Sequence, residues 1–152
     1  MDIRIVPLRA WSLLALMLLA GCAGPQPARS ELEKFQGTWY SVSTESDGKR
    51  QTGEDQADLH SISGNHCIVS FGGRVVGESL ITLEPGDGFG RITFQMTKGQ
   101  YQGMTWVGIY QADGDALQWN GGWTTEVSAA PPTFATAAGD HYFLRRVRRV
   151  VR

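Results

Sequence analysis

The sequence predicts an all-β fold, a small antiparallel up-and-down barrel of about eight strands that follows a short N-terminal helix. Three observations support this prediction. After residue 37 the chain contains short segments rich in valine, isoleucine, threonine and aromatic residues, which are typical of strands. Turn sequences such as SDGK, SGN and ADGD separate these segments, and Asp-Gly and Gly-Gly supply the positive φ that tight hairpins need. A series of hairpins leaves two strand edges unpaired, and closure into a barrel removes them.

An apolar run, LLALMLLAGCAG from Leu13 to Gly24, precedes the strand segments. The ten apolar or small residues 11–20 would span about 15 Å as a helix, whereas a bilayer core is roughly 30 Å thick. Basic residues before the run and small residues after it are typical of a secretory signal peptide, which we place at residues 1–21. Leu19-Ala20-Gly21-Cys22 is similar to a bacterial lipobox, after which signal peptidase leaves an acylated cysteine as the first residue.

Cys22 is therefore the predicted lipidation site, because a thiol can form the thioether to a diacylglycerol. The alternative is a plain secretory signal in which Cys22 is incidental. Residues 22–30 would form a lipidated tether, and the expected location is the bacterial cell envelope, with a membrane as partner through the lipid anchor. Ala23 stands where an aspartate is associated with inner-membrane retention, so the outer membrane is favoured over the inner one.

The barrel domain is expected to span residues 31–149, followed by a basic tail end at residues 150–152. Its first element is ELEKF, residues 31–35, a short helical turn with Ser30 at the N-cap and Glu33 placed for a capping box. The expected strands are residues 37–46, 59–62, 66–71, 75–83, 91–97, 104–111, 116–120 and 141–147. The stretch 121–140 has few strand signals, and we expect a loop over one barrel mouth.

The sixth expected strand is apolar on both faces. Met104, Trp106 and Tyr110 lie on one face, and Val107 and Ile109 lie on the other. A strand that faced plain solvent on its outer side would not need apolar residues there. This strand is therefore expected either to be covered on the outside of the barrel or to line a pocket.

Basic residues are concentrated at the end of an otherwise acidic mature chain. This distribution argues against a nucleic-acid surface spread over the domain. The run RRVRRVVR is expected to be a solvated strand end, and the alternative is that it rests on anionic lipid headgroups. Five arginines lie in the last eight residues: Arg145, Arg146, Arg148, Arg149 and Arg152.

Several segments occur in a recognisable order between Glu31 and Arg149: ELEKFQGTWYSVSTESDGKR, GGRVVGES, GIYQADGDALQW, PPTF and FLRR. With this order and spacing the chain resembles a lipocalin-like domain family of unknown function expanded in Planctomycetes. The most specific elements are Leu32 with Gln36-Gly37-Thr38-Trp39, the pair Asp47-Gly48, and Gly108-Ile109-Tyr110. The resemblance implies a small barrel with Trp39 near its closed end, and it implies no established reaction.

The residues that usually carry catalysis or bind metals do not form a known motif. There is no Gly-x-Ser-x-Gly, and His60, His66 and His141 lack the paired spacing of a zinc site. Cys67 lies in the apolar segment HCIVSF, where a buried small hydrophobic side chain is expected rather than a reactive nucleophile. We therefore expect no enzyme, with no catalytic residue, no metal and no cofactor.

Aromatic residues late in the chain are where a small-molecule site would lie if the domain binds a ligand. Trp106, Tyr110, Trp119 and Trp123 fall in neighbouring segments and are the candidate ligand-binding residues for a small hydrophobic ligand. Gly121-Gly122 is expected to let the following loop swing Trp123 over the opening. The alternative is that these side chains fill the interior of a small barrel, which would leave a structural or protein-interaction module of the envelope without a ligand.

Overall fold

The computed structural model of the chain describes residues 27–52 and 58–151, so the predicted signal peptide, Cys22 and residues 23–26 of the tether lie outside the described residues. Within this range the chain forms one helix and nine strands. The elements are α1 (Pro27–Phe35), β1 (Gly37–Ser46), β2 (Lys49–Thr52), β3 (Leu59–Ser63), β4 (His66–Phe71), β5 (Arg74–Glu84), β6 (Gly90–Gly99), β7 (Thr105–Asp113), β8 (Ala116–Trp123) and β9 (Phe143–Arg149).

The strands form a closed antiparallel barrel. From β3 to β9 each strand pairs with the next, and β9 pairs with β1 along residues 39–46. The other edge of β1 pairs first with β3, at residues 37–40, and then with β2, at residues 43–46. The strands β2 and β3 therefore share one position in the wall, so nine strands occupy eight positions. The prediction of a small all-β barrel is confirmed.

The strand bounds agree with the turn signals, whereas α1 and β2 differ from expectation. Strands β1 and β4 have the predicted bounds, but the sequence did not predict β2, because its four residues, KRQT, are polar and all exposed. Helix α1 begins at Pro27, within the segment interpreted as tether, since proline is well accommodated at a first helical position. Ser30 lies inside this helix, so the N-cap prediction is wrong.

The C-terminal end of α1 closes one end of the barrel. Phe35 and Trp39 are fully buried, and Trp39 Nε1 donates a 2.7 Å hydrogen bond to the carbonyl of Phe35. The ring of Phe35 meets Tyr110 edge-to-face at 5.1 Å, and the Tyr110 hydroxyl donates to Glu31. Trp39 thus lies at a closed end, as expected. The core beneath this end is completed by Ile62, Ile81, Ile92, Leu117 and Val147.

Arg149 fastens this closed end. Its guanidinium lies over the Trp39 ring, 4.2 Å from the ring centre. Its NH1 and NH2 groups donate to the carbonyls of Gln36 and Lys34, and its Nε donates to Asp115 at 2.9 Å. The carbonyls at a helix C-terminus lack intrahelical partners and carry partial negative charge, so a cation is favourable there. This arginine of the basic run is therefore a structural residue and not part of a solvated strand end.

The segment between β8 and β9, residues 124–142, packs against the outer face of the barrel. Asn120 projects outward from β8 and donates hydrogen bonds to the carbonyls of Thr133 and Ala135, at 2.8 and 2.9 Å. Ile109 and Leu144 are buried on the side of the barrel wall that this segment covers. Val127 of this segment packs on the outer face against Gly122, where a Cβ atom would lie 2.8 Å from the Val127 side chain. The prediction that the loop covers a barrel mouth is therefore wrong. This cover explains the outer apolar face of β7.

Among the described residues, no helix combines the length and the apolar character needed to cross a bilayer.

We expect Arg149→Lys to lower the free energy of unfolding by about 1–3 kcal/mol, because one ammonium cannot stack on Trp39 and also donate to three separate groups. Urea denaturation followed by tryptophan fluorescence measures this change. Arg148→Lys is the matched control, since Arg148 is exposed on the same strand, and it should change stability by about 0.5 kcal/mol or less. Equal stability of the two variants would show that Arg149 does not fasten the closed end.

Candidate ligand-binding cavity

A cavity of about 580 Å³ lies in the barrel at the end opposite to α1. Along β7, Trp106 lines this cavity whereas Tyr110 packs at the closed end, so the two ends are separated within one strand. His60, Cys67 and Ser79 are buried and form its inner part. The rim consists of residues that are exposed or half-buried: Val76, Gln100, Tyr101, Trp123 and Phe143.

Aromatic rings form one wall of the cavity. Phe94 contacts Trp106 and Trp119, with ring centres 5.4 and 5.9 Å apart. Nearer the rim, the rings of Tyr101 and Trp123 are 4.6 Å apart and tilted by 31°. Edge-to-face and offset contacts of this kind are favourable beyond simple area burial. The wall is therefore a fixed apolar surface rather than a set of independent side chains.

Two glycines hold Trp106 in this wall. A Cβ atom on Gly108 or on Gly121 would lie 2.7 Å from the Trp106 ring, which is closer than packed atoms approach. The ring therefore lies directly over the backbone of β7 and β8. The expectation that Gly121-Gly122 lets a loop swing Trp123 over the opening is wrong. Gly121 and Gly122 lie within β8, and Trp123 is the last residue of that strand.

Three of the four residues predicted to bind ligand come together in the cavity: Trp106, Trp119 and Trp123. Tyr110 does not join them, and this part of the prediction is wrong. Residues 106 and 110 share a face of β7, but four residues along a strand correspond to about 13 Å. Burial, and next the charge of Glu31, raise the pKa of Tyr110 above its ordinary value, as suits a hydroxyl enclosed at the closed end.

A polar cluster adjoins the aromatic wall in the inner cavity. Arg145 NH1 donates to Asp58 Oδ2 at 2.5 Å and to His60 Nε2 at 2.9 Å. The His60 ring also meets Trp119 edge-to-face at 5.1 Å. The sequence analysis does not identify this cluster, since its residues come from distant segments. The alternation of side chains along β9 is one signal that could have found Arg145. Val147 faces inward, and Arg145 and Arg149, two residues before and after it, therefore share its inward face.

The ionisable groups of the inner cavity keep their neutral forms except for the Asp58–Arg145 pair. Burial, and next the charge of Arg145, hold the pKa of His60 well below its usual value, so the imidazole is neutral and Nε2 accepts a hydrogen bond. Burial raises the pKa of Cys67 to about 12, so the group remains a thiol and is a poor nucleophile. The interpretation of Cys67 as a buried small hydrophobic residue is thus confirmed.

Other chemistry-bearing residues lie apart from the cavity. His66 and Lys98 both bond the Glu78 carboxylate on the outer face, at 3.0 and 2.9 Å. The hydrogen bond from Lys98 and then the smaller effect of His66 lower the pKa of Glu78, against a modest opposing effect of desolvation. In the two described ranges, no three histidine, cysteine or carboxylate side chains are close enough to hold a metal ion.

Comparison of the chain with protein-family models, with curated proteins and with solved structures gives no match. The chemistry of the cavity therefore carries the functional conclusion. That chemistry consists of an apolar aromatic wall, one ion pair and a neutral histidine.

The burial of neutral His60 makes stability depend on pH. Between the usual histidine pKa of 6.5 and the lower value in the folded protein, only the unfolded chain gains the proton, so stability falls as the pH decreases. We expect the wild type to lose up to about 1.4 kcal/mol per pH unit below pH 6.5 through this group. Urea titrations between neutral and mildly acidic pH measure the slope, which His60→Gln should reduce. His141→Asn is the control, because His141 is exposed and asparagine tolerates its φ of 59°. An unchanged slope in His60→Gln would contradict this account.

Proposed function

We propose that this protein binds a small apolar ligand in the barrel cavity and acts as a carrier or sensor. The cavity itself is the observation that carries the proposal. Its volume of about 580 Å³ lies within the range of roughly 300–1,000 Å³ typical of small-molecule sites. A barrel whose interior side chains filled it completely would have no such space.

The composition of the wall favours an apolar ligand. Aromatic rings and aliphatic side chains form much of the lining, and its polar groups are few: the cluster of Asp58, His60 and Arg145, together with Ser79, Gln100 and the Tyr101 hydroxyl. Sites for small molecules combine an apolar lining with a few placed polar groups in this way. Among the described residues that line the cavity, His60 is neutral and bonded to Arg145 and Cys67 is a thiol, so these two groups do not form an acid–base or nucleophilic pair. Binding without catalysis is therefore the function that we propose.

A protein-interaction module of the envelope is the second candidate. The β4–β5 hairpin supports it, because Phe71 and Val75 are 46% and 60% exposed on either side of the turn. Isolated exposed apolar residues are common on soluble domains, so this observation weighs less than a cavity. The two candidates differ in one measurable property, since only the first requires a ligand inside the barrel.

We also propose that the domain is held at a bacterial envelope membrane by acylated Cys22, with the outer membrane favoured. The lipobox-like Leu19-Ala20-Gly21-Cys22 supports this part of the proposal. The lipocalin-like family resemblance belongs to it as well, supported by a barrel of the implied kind. The tether is short, because α1 already begins at Pro27.

The lipid anchor has a direct test. Cells that express the full chain are labelled with an alkyne fatty acid, and the protein is isolated and coupled to a fluorophore. We expect strong labelling of the wild type and loss of the label in Cys22→Ala. Cys67→Ala is the matched control, since Cys67 is buried, and it should label like the wild type. Label that persists in Cys22→Ala would rule out the proposed anchor.

Ligand binding is tested with the neutral dye N-phenyl-1-naphthylamine. We expect saturable dye fluorescence with quenching of tryptophan emission in the wild type. Loss of the Trp123 ring removes part of the rim, so Trp123→Ala should weaken dye binding roughly five- to tenfold, a loss of about 1 kcal/mol or slightly more. Tyr40→Ala is the control, because Tyr40 lies outside the cavity at 38% exposure. Absence of saturable dye binding by the wild type would contradict the carrier proposal and favour the interaction module.

A further inference from the structure

The position of Arg145 inside an apolar cavity specifies the ligand more closely. We propose that the ligand is an amphipathic carboxylate, whose head binds the Arg145 guanidinium and whose apolar body lies along the aromatic wall. This inference rests on the proposed function, because it names the chemical class of the molecule that the cavity would hold.

The hydrogen bonds of Arg145 leave part of its guanidinium for a ligand. A guanidinium has five N–H donors, of which the two on NH1 go to Asp58 and His60. Within residues 27–52 and 58–151, the structure gives Nε and NH2 no hydrogen-bond acceptor. The side chain lines the cavity and is 25% exposed. The edge formed by Nε and NH2 matches a planar carboxylate, which accepts two parallel hydrogen bonds from it.

The cluster also fixes the direction of that edge. Asp58 and His60 both bond the same nitrogen, so the guanidinium is held from one side. A neutral His60 can serve only as an acceptor at Nε2, which adds no positive charge and no competing anion. Among the described residues, Asp58 is the acidic group paired with Arg145, and it bonds NH1 alone, so the edge formed by Nε and NH2 is left for a ligand carboxylate.

The charge of Arg145 acts on other groups inside the cavity. Burial lowers the pKa of His60, and the charge of Arg145 lowers it further. Burial raises the pKa of Cys67, and the hydrogen bond with Ser79 and the charge of Arg145 oppose this rise. In a site of low dielectric such a charge attracts an anion more strongly than it would in water.

The aromatic wall explains why a bare anion is not the expected ligand. Phe94, Trp106 and Trp119 present apolar surface beside the cluster, and Trp119 pairs with Arg145 across the neighbouring strands β8 and β9. A small hydrated anion would lose its water there without covering that surface. A carboxylate with an apolar chain covers the rings and brings its charge to Arg145.

Displacement of N-phenyl-1-naphthylamine by dodecanoate and by dodecanol tests the inference in the full mature chain. The two compounds share an apolar chain and differ in the charge of the head. We expect the wild type to bind dodecanoate roughly tenfold more tightly than dodecanol, as a charge-assisted pair of hydrogen bonds allows. Acetate alone should not displace the dye, because it lacks the apolar body.

Variants of the ion pair separate the role of each charge. Arg145→Gln should weaken dodecanoate about tenfold or more and leave dodecanol within about twofold. Asp58→Asn keeps an acceptor oxygen for Arg145 and removes the opposing charge, so dodecanoate should bind more tightly than to the wild type. Arg148→Gln, on the exposed part of β9, makes the same change in net charge as Arg145→Gln and should alter neither compound. If Arg145→Gln does not fold because the half-buried Asp58 carboxylate has lost its partner, the double variant Asp58→Asn/Arg145→Gln removes that carboxylate. The double variant should then show the loss of dodecanoate binding expected for Arg145→Gln.

Equal affinity of the wild type for dodecanoate and dodecanol would overturn the inference while leaving apolar ligand binding intact. An equal loss of dodecanoate binding in Arg145→Gln and Arg148→Gln would also overturn it, because net charge would then explain the effect. Failure of the dye itself to bind the wild type would instead contradict the proposed function, so the two failures are distinguishable.

Discussion

The stacking of Arg149 on Trp39 connects parts of the chain that are far apart in sequence. The same guanidinium bonds the carbonyl of Lys34 near the end of α1 and the side chain of Asp115 in the turn before β8. Helix α1, the first strand and the last strand therefore meet at Arg149. A helix that was not fastened there would leave Phe35 and Trp39 open to water. Because this end is closed, the remaining space in the barrel opens only at the opposite end. The existence of a one-ended cavity therefore depends on this contact.

Strand β9 uses inward-facing arginines for two different purposes. Arg149 is surrounded by acceptors at the closed end, and its donors go to protein groups. Arg145, four residues earlier, faces the cavity and bonds its partners in the described part of the chain through one nitrogen, NH1. Val147 between them is part of the core. The same residue type thus completes the structure at one position and lines open space at the other.

Much of the architecture follows from local chemistry that is visible in the sequence. Turn residues and β-branched segments set most strand bounds, and the late tryptophans were correctly grouped because they occupy adjacent strands. Tyr110 could not be separated from them by alternation, since a shared face says nothing about distance along the strand. The packing of the loop depends on contacts of Asn120 with residues more than ten positions away. Such contacts carry no local signal.

The polar cluster was hidden for a related reason. Asp58 and His60 lie at the start of β3, and Arg145 lies in a basic run whose composition indicates solvent exposure. Barrel closure brings these segments together. The register of β1 against β9 shifts between Ser41 and Ser43, and this shift helps to set which β9 side chains face inward. Side chains that meet through closure are therefore the part of a barrel that sequence patterns predict least well.

Closure through β9 has a consequence for the synthesis of the chain. The bonded residues Gln36 and Arg149 are 113 positions apart, so the amino-terminal strand has no partner on one edge until nearly all of the barrel has left the ribosome. Long-range pairing of this kind slows folding, because loop-closure entropy must be lost before the contacts form. Until the final strand emerges from the ribosome, the nascent chain therefore cannot close the barrel or seal its aromatic interior. Only the emergence of the final strand converts it into a closed container.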